Sequence, residues 1–332
     1  RVAMNAWRNL KIGVRLAVGI GTVLALLVIV AGAAYIGLST GNANFGEYRG
    51  MARQTAAAGA MNGELLAARL NVKEFLLKGT DQSVEAVTAA VAALQKEIDA
   101  SQQLFSDSDE DGKTLAAISA DAQSYSDGFG KVIELRAQRN AFAKQMDDLG
   151  PRIEADLSGV MDSAFRDGDT AAAYRAGDAL RSLLLMRLAR AKFLADNAPE
   201  SIEAVRKYGK EFAVKSDAML TELQNPERRR LSSEAISLAK EYLTAFEGAQ
   251  AAILARNDII DNQLNKIGPS MAGQLDGIVK SKKTAQDELG PRAAAAMESS
   301  LMIALVISVV AVAMGLAIGF VSLGNFHLQL QQ

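Results

Sequence analysis

The sequence predicts an all-α protein in which six long helices outside a membrane form two stacked four-helix bundles that share two of those helices, flanked by two transmembrane helices. Three observations predict it. Two uncharged apolar runs, 16–38 and 301–323, lie near the ends of the 332-residue chain. The residues between them break only at short turn signals and space their apolar side chains at helical intervals. Aromatic residues make up 5% of the chain while Ala, Leu, Glu and Lys are abundant, which favours helix over sheet.

The first span, 16–38, is long enough at ~1.5 Å per residue to cross a hydrocarbon core of ~30 Å. Ala31-Gly32-Ala33 resembles a signal-peptidase site, but the apolar region is about twice the length of a signal peptide's, so the segment reads as an uncleaved span. Arg1, Arg8, Lys11 and Arg15 precede it without an acidic residue, which places 1–15 in the cytoplasm; Trp7 reads as an interfacial anchor. Residues 39–300 then lie outside, in the periplasm of a bacterium, with 301–323 returning to the cytoplasm through the inner membrane. Residues 324–332 read as the start of a cytoplasmic region whose output module lies beyond Gln332, and Arg1-Val2-Ala3 as a remnant before a start at Met4.

Outside the membrane, helix one continues to Lys78 and stops at Gly79. Asp81 caps helix two, which ends near Phe105. Helix three runs from the Ser106 to Gly112 loop to Arg166, where Asp167-Gly168 stops it and Asp169 caps helix four. Helix four ends near Asp196, with Asn197 suited to a left-handed position and Pro199 to the first turn of helix five. Asn225-Pro226 opens helix six, which meets no strong stop before the second span. At ~1.5 Å per residue the six reach about 60, 33, 80, 40, 40 and 110 Å, and with each reversing direction the path returns to the membrane almost without closure error.

An internal repeat supports this topology. Arg69-Leu70, Phe75-Leu76 and Glu85-Ala86-Val87 recur 118 residues later as Arg187-Leu188, Phe193-Leu194 and Glu203-Ala204-Val205. Phe129 and Arg139-Asn140 recur 117 later as Phe246 and Arg256-Asn257, and Gly150-Pro151 recurs 118 later as Gly268-Pro269. Each Gly-Pro is expected to bend its helix. A three-helix unit reverses direction, so the second copy enters upside down.

The composition leaves little room for catalysis. There is no cysteine, and the one histidine, His327, lies at the far C-terminal end, so thiolate chemistry, zinc–sulfur sites and His-dependent triads are absent. No enzyme activity, cofactor or metal is expected. A net charge of −2 offers no field for nucleic acid. The SDSDEDG loop, 106–112, imitates a calcium loop, but the closing bidentate position is Ile118. The Arg228-Arg229-Arg230 run reads as a solvated surface at the distal tip, with a docking patch as the alternative.

The chemistry sits in arginines on apolar helix faces. Arg69 lies between Leu65, Val72 and Leu76, and Arg187 between Leu183, Leu184, Ala191 and Leu194; Arg139 is flanked by Leu135 and Phe142, and Arg256 by Ile253 and Ile260. A guanidinium withdrawn from water needs an anion, and its planar fork fits a carboxylate. That anion is either a ligand or an acid of the chain itself. Lys73, Arg190, Asn140, Asn257 and Asn71 are neighbouring polar candidates.

The layout of basic N-terminus (Met4-Asn5-Ala6-Trp7-Arg8-Asn9-Leu10-Lys11-Ile12-Gly13), span, six-helix exterior and second span resembles the front part of a bacterial methyl-accepting chemotaxis receptor. The exterior is similar to the helical bimodular sensor domains around Leu65-Leu66-Ala67-Ala68-Arg69-Leu70 and Leu185-Met186-Arg187-Leu188. The resemblance implies a homodimer that senses a small organic acid through arginines, chiefly Arg69 and Arg187. It also implies that the dimer signals to a cytoplasmic chemotaxis kinase and coupling protein. Two other readings fit the same layout: the input half of a histidine kinase or cyclase, and a ligand-free docking protein whose inward arginines are all paired internally.

Overall fold

The structure, a computed structural model, describes residues 11–106 and 109–329. Arg1, Trp7 and Arg8, read above as topology signals, lie outside the described residues, as do Asp107 and Ser108 of the acidic loop. The described chain is helical and contains no strand: α1 (Ile12–Lys78), α2 (Asp81–Ser101), a 3-10 turn (Gln102–Leu104), α3 (Glu110–Arg166), α4 (Thr170–Asp196), α5 (Pro199–Glu222), α6 (Pro226–Ile259), a π-helical turn (Ile260–Leu264) and α7 (Asn265–Gln329). The π turn leaves α6 and α7 one unbroken rod, so six helical rods remain. Two of them, within Leu16–Lys78 and Pro226–Ala317, are long and apolar enough to cross a membrane.

The helix ends follow local chemistry. Gly79 (φ 64°) and Asn197 (φ 54°) adopt the left-handed conformation that terminates α1 and α4, and the Asn197 N–H donates to the Phe193 carbonyl. The carboxylate of Asp169 accepts from the Ala172 N–H at 3.0 Å, and the Asn225 side chain accepts from Glu227 and Arg228. The helix of α2 tightens into the 3-10 turn before Phe105, and α3 begins at Glu110, inside the loop expected to extend to Gly112.

The chain forms two compact units. One comprises the described residues of 1–64, 93–117 and 272–332. Here α1 and α7 run antiparallel: Asn62 donates to Asp276 at 2.9 Å, and a Cβ on Gly37 would come within 2.9 Å of the Ser300 Cβ. That approach of Gly37 to Ser300 is the small-residue contact that lets spanning helices pack closely. Lys282 pairs with Asp111 at 2.6 Å.

The other unit, 65–92 and 118–271, holds two apolar clusters. In the first, Leu65, Ala68, Val72 and Phe75 of α1 are buried with Val87 and Ala90 of α2, Ile118 to Val132 of α3, and Leu264 and Met271. In the second, Met146, Leu149, Ile153, Leu157, Val160 and Ala164 of α3 are buried with one face each of α4, α5 and α6, the last between Ala235 and Ile253. The buried stripes advance in steps of three and four, as in Leu65, Ala68, Val72, Phe75, the spacing that packs near-parallel helices side by side. Both clusters are four-helix bundles, and α3 and the α6–α7 rod pass through both.

The repeat is structural as well as sequential. Phe75 meets Phe129 edge to face at 5.2 Å between ring centres, and their repeat mates Phe193 and Phe246 do so at 5.4 Å. The π turn explains why the offset changes from 117 to 118 between Asn257 and Gly268. One extra residue in an α-helix rotates everything beyond it by ~100°. A π turn absorbs it, so that Leu264 and Met271 take the buried positions held in α3 by Met146 and Ile153. The α-helix continues through Gly150-Pro151 and Gly268-Pro269. Glycine permits this, because a Cβ on the residue before proline would crowd the ring in helical conformation.

Candidate functional site

Each copy of the repeat builds the same triad of groups. Arg69 lies over Gly268, its Cδ 3.0 Å from where a Cβ would stand. Arg187 lies over Gly150 in the same way, with Nε at 2.9 Å. The arginine of one copy thus packs on the Gly-Pro of the other. Beside each arginine is a buried tyrosine: Tyr125 by Arg69 and Tyr242 by Arg187. Burial pushes the Tyr125 hydroxyl up to about 12, against the pull of the Arg69 charge. Burial also raises Tyr242, against Arg190 and Arg187, and its hydroxyl is enclosed without a hydrogen-bond partner among the described residues. The tyrosines were missed in the sequence, although they repeat at the 117 offset.

The two copies differ in what neutralises the arginine. Arg187 donates to Glu154 at 2.5 Å, and Arg190 to Asp147 at 2.7 Å and to the Ala143 carbonyl. Arg69 makes no hydrogen bond or ion pair among the described residues. The sequence accounts for this: 118 residues after Glu154 stands Ala272, and 118 after Asp147 stands Asn265. Lys73 is exposed and meets no partner among the described residues, and Asn71 donates to the Ala86 carbonyl at 3.0 Å.

Arg139 and Arg256 belong to a different cluster, at the C-terminal ends of α1 and α4. Arg139 donates to Asn140 at 2.9 Å and to the Leu194 carbonyl at 3.4 Å; Arg256 donates to Asn197 at 2.9 Å and Asn257 at 2.8 Å. Arg136, which sequence reasoning did not single out, donates to the Phe75 carbonyl at 3.2 Å and lies over the Phe75 ring. Burial lowers the proton affinity of Arg139, followed by the charges of Arg136 and Arg190; burial also lowers that of Arg256, followed by Arg139 and Arg136.

The tri-arginine run, expected as a solvated surface or a docking patch, is occupied internally. Arg228 is buried and pairs with Asp167, Asp169 and Ser163. Arg229 holds the Leu220 and Leu223 carbonyls, and Arg230 pairs with Glu227 and Glu234. Among the described residues no group of His, Cys, Asp or Glu is placed to hold a metal.

Residues 9–155 match the family model described as a four helix bundle sensory module for signal transduction, the sensory module of methyl-accepting chemotaxis proteins. The matched stretch holds α1, α2 and most of α3, the first copy of the repeat, and ends at the residue after Glu154. It therefore contains three of a bundle's four helices. A comparison with curated proteins returns no match. The matched family is a sensory module and not a catalytic one. With two membrane-capable helices, the match supports a transmembrane sensor in signal transduction.

Proposed function

We propose that the protein is a bacterial inner-membrane chemoreceptor that binds a small organic acid in the periplasm at Arg69. The observation that carries this reading is the contrast between the two copies. In the second copy Glu154 supplies a carboxylate to Arg187; in the first, Arg69 has the same apolar face, the same glycine beneath it and the same tyrosine beside it, but no acid among the described residues. A ligand carboxylate takes the place that Glu154 fills in the second copy, with the planar guanidinium providing paired donors. The uncharged Tyr125 offers an additional donor within reach of the same guanidinium's field.

Signalling follows from which helices the site joins. Arg69 is on α1 and Gly268 on α7, the two helices whose apolar halves read as membrane spans. A ligand that binds one packing of α1 on α7 better than another shifts their relative height by ~1–2 Å, and it shifts the equilibrium only by its difference in affinity for the two. The receptor acts as a homodimer and passes this displacement to a cytoplasmic output module that engages a chemotaxis kinase and coupling protein. A thermal-shift screen of the full chain in detergent against mono- and dicarboxylic acids tests the reading, since a ligand of the native state raises the melting temperature. At least one acid stabilises the wild type and not Arg69→Gln; the reading fails if no acid does, or if the substitution leaves the shift unchanged.

A further inference from the structure

The three guanidiniums at the ends of α1 and α4 are a different case from Arg69. They are well supplied with hydrogen-bond acceptors, yet every acceptor is neutral. Arg139 and Arg256 bond to the amide oxygens of Asn140, Asn197 and Asn257 and to the Leu194 carbonyl; Arg136 bonds to the carbonyls of Phe75 and Leu76. The charges that act on Arg139 and Arg256 are those of other arginines. Arg139 also keeps a buried Nε with no partner among the described residues. Aspartate in place of any of the three asparagines would have removed one unit of this charge locally, and the chain places asparagine there in both copies of its Arg-Asn repeat.

Two helix C-termini offset part of this charge. Each carries about half a negative charge, so the ends of α1 and α4 together cancel about one of the three positive charges. A surplus of about two remains, half-buried, and its hydrogen-bond partners are amide and carbonyl oxygens. Such a surround suits an anion recognised wholly by donors and not one with a carbon skeleton to bury.

We infer that Arg139, Arg256 and Arg136 form a second ligand site, separate from Arg69, that takes a compact doubly charged oxyanion of the phosphate or sulfate kind where the two copies of the repeat meet. Arg139-Asn140 and Arg256-Asn257 approach the anion as equivalent pairs, one from each copy, and Arg136 supplies the third charge. The bound dianion neutralises the mutual repulsion of the three and holds α3, α6 and the ends of α1 and α4 together.

The experiment is melting of the full chain in detergent with inorganic phosphate or sulfate at millimolar concentration, compared with chloride at equal ionic strength, for wild type, Arg139→Gln, Arg256→Gln and Arg69→Gln. Phosphate and sulfate raise the wild-type melting temperature beyond chloride. Either cluster substitution weakens the dianion at least about tenfold, because one charge-assisted donor is lost from a partly buried site. Arg69→Gln leaves the response intact, which keeps this outcome independent of the organic-acid site. Without added dianion, Arg256→Gln melts no lower than wild type, since a like charge has been removed. No excess over chloride overturns the inference. So does a phosphate response that survives both cluster substitutions while both lower the unliganded melting temperature, because the arginines would then serve only as helix caps.

Discussion

Removing the Glu154 carboxylate should uncover a second organic-acid site. If Glu154 is a built-in substitute for ligand at Arg187, then Glu154→Ala leaves Arg187 in the state of Arg69. The stability cost is small: the side chains are 32% and 44% exposed, and an ion pair so placed is worth about 0.2–1 kcal/mol. The melting temperature therefore falls by no more than a few degrees. The new site is weak. One or two charge-assisted bonds contribute about 1.5–3 kcal/mol each, which corresponds to a Kd between about tens of micromolar and tens of millimolar. Acetate is the probe, titrated against the full chain and followed by ligand-observed NMR. Wild type binds through Arg69 alone, Arg69→Gln does not bind, and the double variant Arg69→Gln, Glu154→Ala recovers binding through Arg187. A double variant as inert as Arg69→Gln would refute the equivalence of the two copies, and with it the reason for placing ligand at Arg69.

Three further substitutions probe the framework. Arg228→Ala destabilises by about 1–3 kcal/mol in denaturant melts, because its side chain is only 5% exposed and its loss removes packing and the hydrogen bonds to Ser163, Asp167 and Asp169, although both acids stay in contact with water; a cost below about 0.5 kcal/mol would show that the tip is not held by this cluster. Tyr242→Phe stabilises by up to about 1 kcal/mol, because it removes an enclosed hydroxyl that has no partner among the described residues; a fall in stability would reveal a partner. Asp156→Asn raises the melting temperature at neutral pH. Burial, then Glu234, raises the Asp156 carboxyl above its ordinary range, so the folded state holds its proton to higher pH than the unfolded chain. Stability therefore falls as pH rises through that window, and the asparagine variant removes this slope; an unchanged pH profile would contradict the assignment.

The helix ends were legible in the sequence because they are set by single residues. Gly79, Asp169, Asn197, Pro199 and Asn225 each act through their own backbone preference or a bond two or three residues away. The repeat was legible for a similar reason, since Arg, Phe and Gly-Pro stand out from an alanine-rich background. The neutralisation of each arginine was not legible. Four arginines sit on comparable faces, yet Arg187 finds Glu154 33 residues earlier, Arg256 finds Asn197 from another helix, and Arg69 finds no acid among the described residues. Such partners depend on how helices distant in sequence are rotated against one another. The π turn was hidden in the same way: a change of offset from 117 to 118 marks an insertion, but only the helix shows that it is absorbed within five residues, Ile260–Leu264. Arg136 escaped notice because it has no arginine at the repeat offset, and Arg228 was seen only as part of a basic run because its acids, Asp167 and Asp169, come from another helix end.

Anomalous diffraction from crystals grown with bromoacetate gives the most direct test, since the bromine marks where a carboxylate comes to rest. The account predicts a peak whose carboxylate lies within hydrogen-bonding reach of the Arg69 guanidinium, beside Gly268 and Tyr125, with Arg187 still clasped by Glu154. A carboxylate seated against Arg187 with Glu154 displaced, or held only by the Arg139 and Arg256 cluster while Arg69 stands free, would contradict it.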